Sequence, residues 1–114
     1  MTLHDQQVHF TRLFTQLLVW AQAQGLEVVL DMVARSPQEQ ARLVNIGASH
    51  TLHSAHVQRL AGDLLLFHDG HYQTDGAAYR PLGTYWKSLD PQCVWGGDWT
   101  SIKDYDHFEW KKTR

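Results

Sequence analysis

The chain has 114 residues, one domain's length, and its 43% hydrophobic and 19% charged residues exclude a disordered chain. Its net charge is -2, and the longest basic run is Lys111-Lys112, which excludes the concentrated basic face that nucleic-acid phosphates demand. Cys93 is the single cysteine, so an internal disulfide and a Cys-rich zinc site are excluded, and a transition-metal site must draw on carboxylates and the eight histidines.

The N-terminal run MTLHDQQVHF has neither a basic n-region nor an apolar h-region, so no signal peptide is expected. Apolar residues then recur at Phe10, Leu13, Phe14, Leu17, Leu18 and Ala21, a helical spacing that Gly25 would stop. Stretches such as LLVWA, residues 17–21, are too short to span a bilayer. Synthesis in the cytoplasm without membrane insertion is therefore expected.

Residues 26–33, LEVVLDMV, are β-branched and apolar and predict a strand. Ser36, Pro37 and Glu39 read as a helix cap, first position and capping partner, with the helix running to about Asn45 before Gly47. Residues 47–57 are polar and His-rich and predict a loop. Residues 60–67, LAGDLLLF, predict a buried strand, and Asp69-Gly70 predicts a two-residue hairpin into His71, Tyr72 and Gln73. Residues 81–89 predict a short helix, and residues 94–97 and 107–110 predict closing strands. There is no internal repeat. Helices first and antiparallel strands afterwards indicate one α+β domain over residues 1–114.

Asp63 lies inside the apolar run LAGDLLLF, where an ionised carboxylate must be paired or metal-bound. His107 lies in the equally apolar HFEW, and His56 at the mouth of the Asp63 strand. Two imidazoles and a carboxylate can supply three zinc ligands and leave a fourth position open for water. Asp104, three residues before His107, could act as base, with Asp106 as the alternative. Arg35, at a strand-to-helix junction, could stabilise oxyanion charge. Other assignments stand beside these. Asp63 could be satisfied by backbone N–H groups or an arginine. His50, His53 and His56 could line a rival metal cluster or a solvated loop. Glu109 shares a strand face with His107 and could support it without ligating, and Trp95 and Trp99 suit a core or a cleft wall.

Together these residues resemble the zinc D-Ala-D-Ala carboxypeptidase and L-alanyl-D-glutamate endopeptidase family of peptidoglycan enzymes, especially its small phage endolysins. The family's first motif, Ser-x-His-x-x-Gly-x-Ala-x-Asp, is matched by Ser54, His56, Ala61 and Asp63, with Arg59 replacing the glycine. The second, an acidic residue three before a histidine, is matched by Asp104 and His107, followed by Phe108-Glu109. Arg35, Ser36, Pro37, Glu39 and Gln40 match an upstream pattern, and Leu82-Gly83, Trp86 and Trp95-Gly96-Gly97 resemble the segment between the motifs. The resemblance spans residues 10–110. It implies N-terminal helices packed on a small antiparallel sheet that carries the zinc site, the D-Ala-D-Ala carboxypeptidase or hedgehog-like zinc peptidase fold. It also implies one Zn2+ per chain held by His56, Asp63 and His107, Asp104 as general base, Arg35 in catalysis and substrate binding, and Ser54 in positioning substrate or the first ligand.

The function expected from the resemblance is hydrolysis of the L-Ala-D-Glu bond of the peptidoglycan stem peptide during phage lysis. The enzyme is expected to be monomeric, to lack a separate wall-binding module, and to leave the host cytoplasm for the periplasmic wall through a separate holin-like pore. A D-Ala-D-Ala carboxypeptidase or dipeptidase on the same site is the first alternative. A zinc-binding domain without catalysis is the second.

Overall fold

In the computed structural model, which describes residues 1–47 and 54–112, helix α1 spans Leu3–Ala23 and is opened by a reciprocal cap between Thr2 and Asp5. Its stripe of Phe10, Leu13, Phe14, Leu17 and Ala21 is buried, as the helical spacing predicts. The helix closes where Leu26 N–H donates to the Ala21 carbonyl and Gly25 N–H to the Gln22 carbonyl, both at 3.0 Å. This six-to-one and five-to-two pairing requires a left-handed residue; Gly25 supplies it at φ +77°.

Strand β1, Glu27–Leu30, is shorter than residues 26–33 predict. The cause is a bulge. Asp31 N–H donates to the Asp63 carbonyl at 3.0 Å, but Asp63 N–H donates onward to the Met32 carbonyl at 2.8 Å. Two residues thus oppose one, and the regular ladder stops. Helix α2, Pro37–Asn45, forms as read, with the Ser36 side chain accepting from Glu39 N–H. The expected loop at residues 47–57 lies in part outside the described residues, and His50 and His53 with it.

Strand β2, Ala61–His68, is the centre of the sheet. It pairs antiparallel with β1, with the short β3, His71–Tyr72, and with β5, His107–Trp110. Strand β4, Cys93–Trp95, pairs with β5 on the other side, giving the order β1-β2-β5-β4. The β2–β3 hairpin turns through Asp69 and Gly70, both at positive φ, the backbone that a two-residue hairpin needs. Helix α3, Gly76–Leu89, begins five residues before Pro81, the residue where a helix start was expected. Asp75 caps it by accepting from Ala77 N–H. Pro81 sits inside it on the exposed side, so the helix forgoes one backbone bond there while Tyr79, Leu82 and Trp86 bury their side chains. Strand β4, expected over residues 94–97, instead ends at Trp95 and tightens into a 3-10 turn, Gly96–Asp98.

The core lies on one face of the sheet. Side chains alternate along a strand, and Leu64 and Leu66 of β2 and Phe108 and Trp110 of β5 are buried with the apolar stripes of α1 and α3. Gly62 belongs to this face: a Cβ there would lie 2.6 Å from the tip of the Phe14 ring. The alternate positions Ala61, Asp63, His107 and Glu109 face the opposite way. The fold class is the expected α+β, with one difference in the packing. The helices that fill the core are α1 and α3, whereas among the described residues α2 buries only Gln40.

The turn entering β2 repeats the device that ends α1. Leu60 N–H donates to the Ala55 carbonyl at 2.9 Å and Arg59 N–H to the His56 carbonyl at 3.2 Å. Arg59 therefore occupies the left-handed position, at φ +59°, with its side chain exposed. It stands where the family motif has glycine, and a non-glycine residue in this conformation loses about 1–2 kcal/mol. Arg59→Gly is expected to match or exceed the wild type in stability, the relief being partly offset by about 0.5–1 kcal/mol of chain entropy. Arg59→Val, β-branched at the same φ, is expected to be less stable by about 1 kcal/mol or more. Chemical denaturation of the two variants checks both signs.

Candidate metal centre

The register between β2 and β5 places Asp63 directly opposite His107. Both side chains leave the face away from the core, and His56 reaches them from the turn that precedes β2. His56 Nε2 lies 3.1 Å from Asp63 Oδ1, His107 Nδ1 lies 3.3 Å from the same oxygen, and the two nitrogens are 3.2 Å apart. Among the described residues this is the one group of three His, Cys, Asp or Glu whose ligand atoms converge in this way. All three residues are buried.

Protons alone satisfy this triangle poorly. If both imidazoles donate to Asp63, their two N–H groups face each other across 3.2 Å. If one does not, its lone pair is aimed at a carboxylate. A central cation satisfies all three atoms at once. Tetrahedral zinc, with bonds of about 2.0–2.2 Å to nitrogen and oxygen, sets its ligands about 3.3–3.5 Å apart, so the donor set and its spacing fit that ion with little adjustment.

The far nitrogens are also engaged. His107 Nε2 lies 2.7 Å from Glu109 Oε1, and His56 Nδ1 faces the Val33 carbonyl at 3.5 Å. Donation outward from those nitrogens leaves His107 Nδ1 and His56 Nε2 as the lone-pair donors toward the centre, the usual way in which outer carboxylates and carbonyls orient metal-binding imidazoles.

The charges of the metal-free site point the same way. Burial alone would raise the Asp63 carboxyl, but hydrogen bonds from His107 and His56 outweigh it and hold it below the ordinary carboxylate range. Burial would lower His107, but Asp63 and Glu109 outweigh it and push its pKa up to about 9. Asp106 is pushed up to about 8 by burial, by its hydrogen bond with Asp104, and by the charges of Asp104, Asp63 and Asp31. The carboxylates around the two imidazoles thus give the pocket an excess of negative charge, which favours the protonated forms of His107 and Asp106.

The remaining expected residues surround this centre. Ser54 Oγ accepts from His56 N–H at 3.2 Å. Arg35 N–H donates to the His56 carbonyl at 3.1 Å, and its guanidinium is anchored on Gln40 Oε1 at 2.6 Å and Met32 Sδ at 2.7 Å. Asp104 is half-buried, and its carbonyl accepts from His107 N–H at 3.2 Å. Trp95 is a core residue whose indole donates to the Tyr105 carbonyl. Trp99, read as core or cleft wall, is half-buried beside the His107 ring. Two contributors were not legible as site residues, the Val33 carbonyl and Asp31 in the bulge, and of the two only Asp31 left a signal, a carboxylate interrupting an apolar run.

Residues 47–110 match the family model described as D-alanyl-D-alanine carboxypeptidase. The chain is 32% identical over 99 residues to the L-alanyl-D-glutamate peptidase of Listeria phage A118, a match that covers 82% of this chain and 34% of that protein. The chain therefore spans about a third of the length of that relative. Among solved structures, the Serratia marcescens L-Ala D-Glu endopeptidase ChiX superposes with a TM-score of 0.76 at 22% identity, covering 90% of this chain and 78% of that one. The vancomycin-resistance D,D-pentapeptidase VanY, crystallised with Zn(II), superposes with a TM-score of 0.64 at 17% identity, covering 90% and 71%. Both likenesses establish the fold.

A group whose folded pKa is raised stabilises the fold fully below its unfolded value and loses that contribution as pH rises through the folded value. For His107 the window runs from 6.5 to about 9. Chelator-treated protein is therefore expected to melt at progressively lower temperature across this range. A melting temperature that stays flat between those limits would remove the pairing of His107 with Asp63 and Glu109.

Proposed function

The chain belongs to the D-alanyl-D-alanine carboxypeptidase family, and from that premise we propose that it is a zinc-dependent peptidoglycan peptidase that hydrolyses the L-Ala-D-Glu bond of the stem peptide. The observation that carries the proposal is the triangle of His56 Nε2, Asp63 Oδ1 and His107 Nδ1, with edges of 3.1–3.3 Å. These three residues would hold one zinc per chain. Zinc there supplies a polarised carbonyl and a more acidic water.

The chain's own residues do the rest. Asp104 is the general base: it takes the proton of the attacking water and delivers it to the leaving amine as the new C–O bond forms and the amide C–N bond breaks. It is coupled to the ligand set through the 3.2 Å bond from His107 N–H to its own carbonyl. Ser54 holds the first ligand through the His56 N–H. Arg35, whose backbone is tied to His56 and whose guanidinium is anchored on Gln40, supplies positive charge for the developing oxyanion and for the substrate.

In this reading residues 1–114 act as a single catalytic domain and as a monomer. Among the described residues no helix is long and apolar enough to cross a membrane. The same reading has the enzyme made in the host cytoplasm and released to the periplasmic wall through a separate holin-like pore. The L-Ala-D-Glu bond is supported by the names of the phage relative and of ChiX. The description of the matched family and the activity of VanY favour a second specificity, removal of terminal D-Ala.

Elemental analysis of the wild type is expected to find one zinc per chain, and digestion of purified muropeptides to release stem peptide cut after L-Ala. His56→Ala is expected to lose both metal and activity. Asp104→Ala is expected to keep its zinc while activity falls by about 10²–10⁴-fold. Free D-Ala as the product would move the assignment to the carboxypeptidase specificity, and a well-folded wild type without metal would end the peptidase reading.

A further inference from the structure

Trp99 is the one tryptophan outside the main packing of the molecule. Trp86, Trp95 and Trp110 are core residues, and Trp20 packs against the core and stacks on Tyr85. Trp99 is half-buried and leans on the His107 imidazole, with ring centroids 4.9 Å apart and planes inclined by 44°. It follows the Gly96–Asp98 turn, and its N–H donates to the Gly96 carbonyl at 3.2 Å. The same carbonyl accepts from Asp104 N–H at 3.1 Å. One oxygen thus ties down the backbone of both Trp99, whose indole lies beside His107, and Asp104, three residues before it. Gly96 leaves no room for a side chain at this node: a Cβ there would collide with the Asp104 carbonyl oxygen and come within 3.0 Å of His107 Cβ.

A histidine ring needs such a bracket. The torsion that turns the imidazole about its own axis is broad, without the sharp wells of an aliphatic side chain. The bond from Nε2 to Glu109 holds one edge of the His107 ring, and the His56 ring meets it edge-on at 5.0 Å. Neither lies where the Trp99 indole does.

We propose that Trp99 is a positioning residue for the metal centre, fixing the plane of the His107 ring so that Nδ1 stays aimed at the point shared with His56 and Asp63. The proposal rests on the zinc reading above and adds to it a residue that neither ligates nor transfers a proton. Outer residues that orient ligands typically change metal affinity by about 10–100-fold, whereas an indole that only covers apolar surface changes the stability of the metal-free fold.

The test compares wild type, Trp99→Phe and Trp99→Ala. Zinc affinity is measured by competition with a chelating indicator, and thermal unfolding is measured in excess EDTA. The expected result is zinc binding weakened by about 10-fold or more in Trp99→Ala and restored to within about 3-fold of wild type in Trp99→Phe, with the same metal-free melting temperature in all three proteins. Wild-type affinity in Trp99→Ala overturns the proposal. So does weakened affinity that comes with a lower metal-free melting temperature and no rescue by phenylalanine, because the indole is then structural. A wild type that takes up no zinc overturns the metal reading itself, an outcome visible before either variant is compared.

Discussion

The pairing of Asp63 with His107 across the β2–β5 ladder is the constraint on which the rest of the arrangement depends. Strand side chains alternate with period two, so a slip of one residue would carry both groups into the core and bring Gly62 and Phe108 out to the site. The register is held from the core side. The tip of the Phe14 ring fills the space beside Gly62, and Phe108 packs against Trp86. Apolar contacts on one face thus determine which polar atoms meet on the other.

Three irregular backbone features then deliver what the ladder alone cannot. The bulge at Asp31 and Met32 ends β1 beside Asp63 and turns the chain so that the Val33 carbonyl faces His56. The turn closed by Arg59 brings His56 back over the start of β2. The close approach at Gly96 lets the Asp104 segment pass near enough to share hydrogen bonds with the end of β4. Each feature interrupts regular structure next to the triangle. The concentration of Asp31, Asp63, Asp104 and Asp106 around two imidazoles would be unfavourable in a core. At the rim of a sheet, facing a cation, the same charges are complementary.

Much of this was legible in the sequence, and the reason differs by element. The stripe in α1, the Ser36-Pro37 start of α2 and the Asp69-Gly70 hairpin are local signals, and the structure follows them. The α3 start was not legible because Pro81 is a strong local punctuation mark, and the burial of Tyr79, Leu82 and Trp86 overrides it. The early end of β1 was hidden for a related reason: a bulge depends on the partner strand, not on the β-branched run that precedes it. Asp63 and His107 stood out because charged or titratable groups in apolar strands demand an explanation, and His56 because it stands at the mouth of the Asp63 strand; the structure brings the three together. Trp99 was legible only as core or cleft wall, since its place against His107 arises only when the 3-10 turn folds it back. Arg59 is the clearest case of a partial signal. The sequence showed a departure from glycine, and only the backbone angle showed that the position still wants one.

The division of β2 and β5 into a core face and a site face also bears on how such a chain can change over time. Even-numbered positions such as Leu64, Leu66, Phe108 and Trp110 answer to packing; odd-numbered ones such as Asp63, His107 and Glu109 answer to chemistry. The two sets of side chains point into different surroundings, the core on one side and the site on the other. The two strands therefore behave as interleaved texts written on one backbone. A change on the site face leaves the packing side chains themselves in place, and the same frame recurs in solved structures that are only 17–22% identical to this chain.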